Sequence, residues 1–190
     1  MMRSVLCALF LAGVAPLTAA DELTQALDAV QERAQAGRYP QALKSLDAAR
    51  KELQQRHTQK LAGFLPDEVA GFRAAPARLA PGGASRAYRK GELMIEATLE
   101  EFSATQKAML DMAQWGMRMG AQMLSESLSF EGCPANLESR PGQDTAAMTI
   151  ELAGNARLRL ELRGSSDGAV LKSFAGRLKL GELDRYLRGE

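Results

Sequence analysis

Histidine occurs once in this 190-residue chain, at His57, and cysteine twice, at Cys7 and Cys133. A histidine-based zinc site or a Ser-His-Asp triad would have to use His57, which stands beside Arg56 near the end of a charged helical stretch and reads as a solvated surface residue. Zinc held by cysteine needs several thiolates. A Cys-His nucleophilic pair needs Cys133 beside His57, and no local pattern joins them. No P-loop is present, nor a glycine-rich dinucleotide fingerprint following a strand. Charge of one sign is not in excess, with 24 Lys and Arg against 23 Asp and Glu. That balance argues against broad binding to nucleic acid or to an anionic membrane, which needs a cationic face. Aromatic residues make up only 5% of the chain, so aliphatic and methionine side chains must supply most of any core.

The one markedly apolar run lies at the start. Arg3, an apolar stretch from Val5 to Val14, and small residues ending in Thr18-Ala19-Ala20 form the pattern of a cleavable secretory signal peptide over residues 1–20. The run is too short for a stable membrane span, and Cys7 lacks a lipobox around it. The expected product begins at Asp21, resides in the periplasm and is not inserted in the membrane. Cys133 is then the lone thiol, so no intrachain disulfide forms; it is either buried or open to intermolecular pairing, and burial is the expectation.

Residues 21–62 read as a helical hairpin. Leu23, Leu27, Val30 and Ala34 recur at helical spacing, as do Ala42, Leu43, Leu46, Ala49 and Leu53. Gly37 is a natural helix stop and Pro40 is tolerated in a first helical turn. Residues 63–83 form a Pro/Gly-rich connector. Its apolar Phe64, Leu65, Val69 and Phe72 are expected to anchor on the following domain, with Ala74 to Gly83 a looser loop.

Residues 84–190 read as an antiparallel sheet with packing helices. Leu93, Ile95, Ala97 and Leu99 alternate with polar partners, and Lys90-Gly91 supplies a turn from the preceding strand. Ser103 and Gln106 form a capping box, so a helix starts near Ala104. Met109, Met112, Gly116, Met119 and Met123 share a face of that helix, and the glycines, each destabilising by about 1 kcal/mol relative to Ala, suggest close approach to a sheet. Leu128 and Phe130, then Ala135 to Arg140, suggest short strands. Ala146 to Leu152 and Arg157 to Arg163 alternate around Gly154-Asn155 and make a hairpin. The C-terminal leucines pack back on the sheet. The predicted fold is therefore α+β: a helical hairpin, then an antiparallel sheet of about five or six strands with two packing helices.

Two resemblances bear on this. Gly37, Tyr39, Ala42 and Leu43 resemble part of a tetratricopeptide repeat, limited to one helix pair, with no second copy at the roughly 34-residue period of such repeats. Residues 64–190 resemble a poorly characterised family of exported bacterial proteins. The resemblance is carried by Phe64-Leu65-Pro66, Gly71-Phe72, Ser85-Arg86, Tyr88, Gly91, the Met-rich helix and Leu178, Leu180 and Leu183. The strand-helix-strand order is similar to the PsbP/Mog1-like group, which implies an α/β sandwich serving as a lipoprotein, photosystem-accessory or adaptor module. It supplies no catalytic residues.

Three chemistries remain. Soft thioethers select Cu(I), and Met112, Met119 and Met123 around Trp115 are the candidate set; core packing or an exposed groove for a partner accounts for them better. Glu96, Glu100 and Glu101 near a strand end are candidates for acid-base work, but Glu96 and Glu100 fall on a polar face. Arg157, Arg159 and Arg163 share a strand face and suit either an anionic ligand or cross-strand pairing, the latter favoured. The resulting expectation is a non-enzymatic binding or accessory protein without cofactor. Its interaction face includes Tyr39, Leu43, Leu46 and Trp115, and its partner is an envelope protein or, through the hairpin, a second copy. A small-ligand or soft-metal carrier using the Met/Trp helix is the alternative.

Overall fold

The computed structural model describes residues 18–118, 124–139 and 142–190. Positions 1–17 of the expected leader, together with Met119, Met123 and Pro141, lie outside the described residues; Thr18 to Ala20 open a helix. The chain divides into two compact units, one ending at Leu53 and one running from Gln54 to Glu190.

The first unit is a helical pair, α1 (Thr18–Gln35) and the part of α2 (Tyr39–Gly63) up to Leu53. Gly37 takes φ 71°, and the chain around it closes α1 with two bonds, Arg38 N–H to Arg33 O at 2.8 Å and Gly37 N–H to Ala34 O at 3.0 Å. That is a Schellman stop, which only a residue at ease in the left-handed region permits without strain. The buried face of α2 here is made of small residues, Ala42, Ser45 and Ala49. The Arg33 guanidinium donates to Ser45 Oγ across the pair.

Among the described residues the second unit is built on nine antiparallel strands, not five or six. The strands are β1 (Glu68–Val69), β2 (Phe72–Ala74), β3 (Arg78–Ala80), β4 (Gly83–Lys90), β5 (Leu93–Glu101), β6 (Leu124–Phe130), β7 (Cys133–Ser139), β8 (Thr145–Glu151) and β9 (Ala156–Arg163). Their order is β1-β2-β4-β5-β9-β8-β7-β6, with β3 also paired to β4. The three additional strands lie in the stretch read as a connector. Each is two or three residues long, too short to show alternation, and each is held by pairing to a longer neighbour. Arg86 secures this stretch further: its guanidinium donates to Ala75 O at 2.8 Å, to Leu65 O at 2.5 Å and to the Asp67 carboxylate. The expected loose loop from Ala74 to Gly83 is thus half strand, at Ala74, Arg78–Ala80 and Gly83.

The remaining helices are α3 (Ala104–Arg118), α4 (Gly168–Ala175) and α5 (Leu180–Arg188). One sheet face carries Ile95, Ala97, Leu99, Met148, Ile150, Leu158, Leu160 and Leu162, all buried. They share one core with Leu171 and Phe174 of α4, Leu180 and Leu183 of α5, and Leu61, Leu65 and Phe72. Each fully buried Leu or Ile stabilises by about 1.5–3 kcal/mol relative to exposure. Cys133 is in this core, only 3% exposed, and burial pushes its thiol pKa up. Asp184 fastens α5 to the β8–β9 connection, accepting from Ala153 N–H at 2.7 Å and from Arg188.

The capping box at the start of α3 forms as read. Gln106 N–H donates to Ser103 Oγ at 3.2 Å, and Ser103 N–H donates to Gln106 Oε1 at 2.9 Å. The expectation that the methionine face packs on the sheet is not met where it can be followed: Met109 and Met112 are 63% and 73% exposed.

Candidate functional site

Among the described residues, five large apolar side chains stand exposed in the helical pair: Leu27 on α1 and Tyr39, Leu43, Leu46 and Leu53 on α2. The cause is the placement of small residues. Ala42, Ser45 and Ala49 form the buried face of α2, and Ser45 Oγ on it accepts from the Arg33 guanidinium of α1. The residues one step further round, Tyr39, Leu43, Leu46 and Leu53, then point away from the pair. Their spacing of four, three and seven puts them on one stripe, with Arg50 filling the gap between Leu46 and Leu53. Periodicity alone merged Leu43, Leu46 and Leu53 with Ala42 and Ala49 into a single face. The structure separates them, burying the small members and leaving the large ones in solvent. Of the sequence-predicted interaction residues, Tyr39, Leu43 and Leu46 therefore fall together.

Of the candidate copper ligands, one falls among the described residues. Met112 is exposed on α3, and Met119 and Met123 lie outside the described residues. Among the described residues no group of three or more His, Cys, Asp or Glu side chains is placed to hold a metal ion.

His57 is not the free surface residue expected. Its Nε2 lies 2.8 Å from Glu101 Oε2 and its Nδ1 2.8 Å from Tyr186 Oη. The Tyr186 ring stacks on the imidazole at 5.6 Å and 22° and tilts against Phe64 at 5.6 Å. Nε2–H donating to the carboxylate leaves Nδ1 to accept from the phenol. The order carboxylate, imidazole, hydroxyl is that of a charge-relay triad. Here, however, the hydroxyl is a phenol whose pKa is raised, by burial first and by the Glu101 charge second. That keeps Tyr186 protonated as a donor, the opposite of an activated nucleophile, and the cluster acts as a clamp between the α2 end, β5 and α5. Local sequence could not show it, because His57 is 44 residues from Glu101 and 129 from Tyr186.

The arginine strand is internally paired. Arg157 Nε donates to Glu151 at 3.1 Å and Arg159 Nε to Glu161 at 2.7 Å. Arg163 lies 3.9 Å from Glu96. The Arg157–Glu151 pair is cross-strand in register, and the Arg157 guanidinium also covers the Phe102 ring at 5.5 Å. Glu96 and Glu101, proposed from sequence for acid-base work, are thus partnered by Arg163 and His57 and are not aimed at a common point.

Neither family models, nor curated proteins, nor solved structures give a match to this chain.

Proposed function

We propose that this protein is an exported, periplasmic accessory module, without enzymatic activity or cofactor, that works through protein-protein contacts made by its helical hairpin. The observation that carries the reading is the inverted hairpin: large apolar residues at helical spacing face outward while alanines and a serine fill the inner seam. Burying the half of each side chain still exposed would gain about 1 kcal/mol each, so the surface is built to be covered. The partnered states of Glu96, Glu101, Arg157 and Arg159 support a binding role over a hydrolytic one. The resemblance of residues 64–190 to exported accessory domains points the same way, with the sheet unit as scaffold.

The test has two parts. Fractionation of cells expressing the full chain should place the product in the periplasm with its N-terminus at Asp21; retention of residues 1–20 on a cytoplasmic product would refute export. Crosslinking in the envelope should yield adducts of the wild-type chain that Leu43→Asp with Leu46→Asp removes. Adducts unaffected by that pair of substitutions would refute the hairpin as the docking element.

A further inference from the structure

We propose that the occupant of the α2 stripe is a second copy of this chain, packed antiparallel about a two-fold axis level with Ala48. The proposal rests on the docking role given to the hairpin above and names its partner.

The pattern on α2 is self-complementary. Leu43, Arg50 and the pair Leu46 and Leu53 occupy alternating core positions of a heptad frame. In antiparallel pairing, one register places Leu43 opposite Leu53 of the second copy and Leu46 opposite Arg50, each twice by symmetry. Shifting by a heptad one way sets Leu43, Leu46 and Leu53 opposite Lys60, His57 and Arg50; shifting the other way still pairs Leu43 with Leu46 but sets Leu53 opposite Ala36, outside the helix, and Arg50 opposite Tyr39. In the favoured register Arg50 of each copy meets Leu46 and lies within reach of the adjacent Asp47 of the other. The only charged member of the stripe therefore gains an opposite charge, also twice. A lone polar residue in such a seam fixes register and oligomeric state at some expense of stability. The inner seam of each hairpin stays intact, because Ala42, Ser45 and Ala49 occupy a different face, and the product is a four-helix arrangement of two hairpins.

The register makes a geometric prediction. Position 47 lies about 3 Å along the axis from its own counterpart, whereas position 43 lies about 15 Å from its own, at 1.5 Å per residue. In the full chain carrying Cys7→Ser, and with Cys133 buried, Asp47→Cys should form an intermolecular disulfide with itself under mild oxidation. Leu43→Cys should not, nor should Ala48→Cys, which is level with the axis but on the outer side of the helix. Light scattering should give twice the monomer mass for the wild type, and Leu46→Asp should raise the dissociation constant by about a hundredfold with the far-ultraviolet CD spectrum retained. Arg50→Glu should weaken the dimer, and adding Asp47→Lys should restore it.

Self-linking of Leu43→Cys as fast as Asp47→Cys would indicate a parallel pair and overturn the proposal. So would a dimer insensitive to Leu46→Asp. A monomer at all concentrations overturns it as well. If envelope adducts still depend on Leu43 and Leu46 in that case, the docking role survives with a different partner; if they do not, both readings fall.

Discussion

Replacing Tyr88 by phenylalanine should make the protein more stable. Tyr88 is fully buried on β4, and its ring meets Phe174 edge-on at 4.9 Å and 77°. Its hydroxyl finds no hydrogen-bond partner among the described residues. A buried hydroxyl without a partner carries a desolvation cost of about 1–3 kcal/mol, and phenylalanine keeps the ring contacts while removing that cost. Tyr88→Phe should therefore gain about 1 kcal/mol or more at pH 7. Burial also pushes the phenol pKa up to about 12, with Arg86 opposing and Asp67 adding to the shift. A raised folded pKa means that this contribution is intact below the unfolded value of 10.0 and is lost as pH rises through about 12. At pH 11 the wild type should have lost about 1.4 kcal/mol through this group, a loss the variant cannot show. Urea unfolding of both chains at pH 7 and pH 11, followed by near-ultraviolet CD of the aromatic core, measures the two gaps directly. Destabilisation at pH 7, or a gap that stays constant with pH, would refute the account of Tyr88 as an unpartnered buried phenol.

His57→Ala should destabilise the second unit by about 2 kcal/mol, from two hydrogen bonds and one ring stack at partly exposed positions. At roughly 2.1 cal/mol/K per residue that is a fall in Tm of about 7 °C; a fall below about 2 °C would show that solvent replaces the clamp. Gly83→Ala should cost about 2 kcal/mol or more, because its Cβ would meet the Leu99 carbonyl oxygen at 2.5 Å between two paired backbones. Gly91→Ala, with open space but φ 58°, should cost about 1 kcal/mol, and equal melting shifts for the two would contradict this contrast. Native protein should leave Cys133 unlabelled by a thiol reagent at pH 8 until denaturant is added, since the thiol is buried and its thiolate disfavoured; rapid native labelling would refute that burial.

Features written in nearest neighbours were legible in the sequence. Ser103 and Gln106 announce a helix start within four residues, Gly37 stops a helix by its own conformation, and alternation along β5, β8 and β9 records which face is covered. The β6–β7 turn was placed too late: Gly132-Cys133-Pro134 reads as a break, whereas Glu131 and Gly132, with φ 49° and 89°, form the tight turn and β7 already starts at Cys133. What escaped depends on partners far along the chain. Strands β1 to β3 exist through β4 and the reach of Arg86. His57 acquires its role from Glu101 and Tyr186. On α2 the helical period is visible, but which of two adjacent faces is buried is not written in the period, and there the small residues prevail.

The strand order has a kinetic consequence. β4–β5 and the run β6–β7–β8–β9 are each chains of neighbours, whereas β5 and β9 join in the middle of the sheet across α3 and three intervening strands. Local hairpins close on the microsecond scale, so the β5–β9 seam is the step whose loop entropy must be met before its contacts are gained. α3 is the tether of that closure, and its Met109 and Met112 side chains are not committed to the core. Because loop entropy rises by only about 0.6 kcal/mol per doubling of length, this is where the chain can be lengthened at least expense to folding, and where an inserted sequence would slow the seam without changing what it joins.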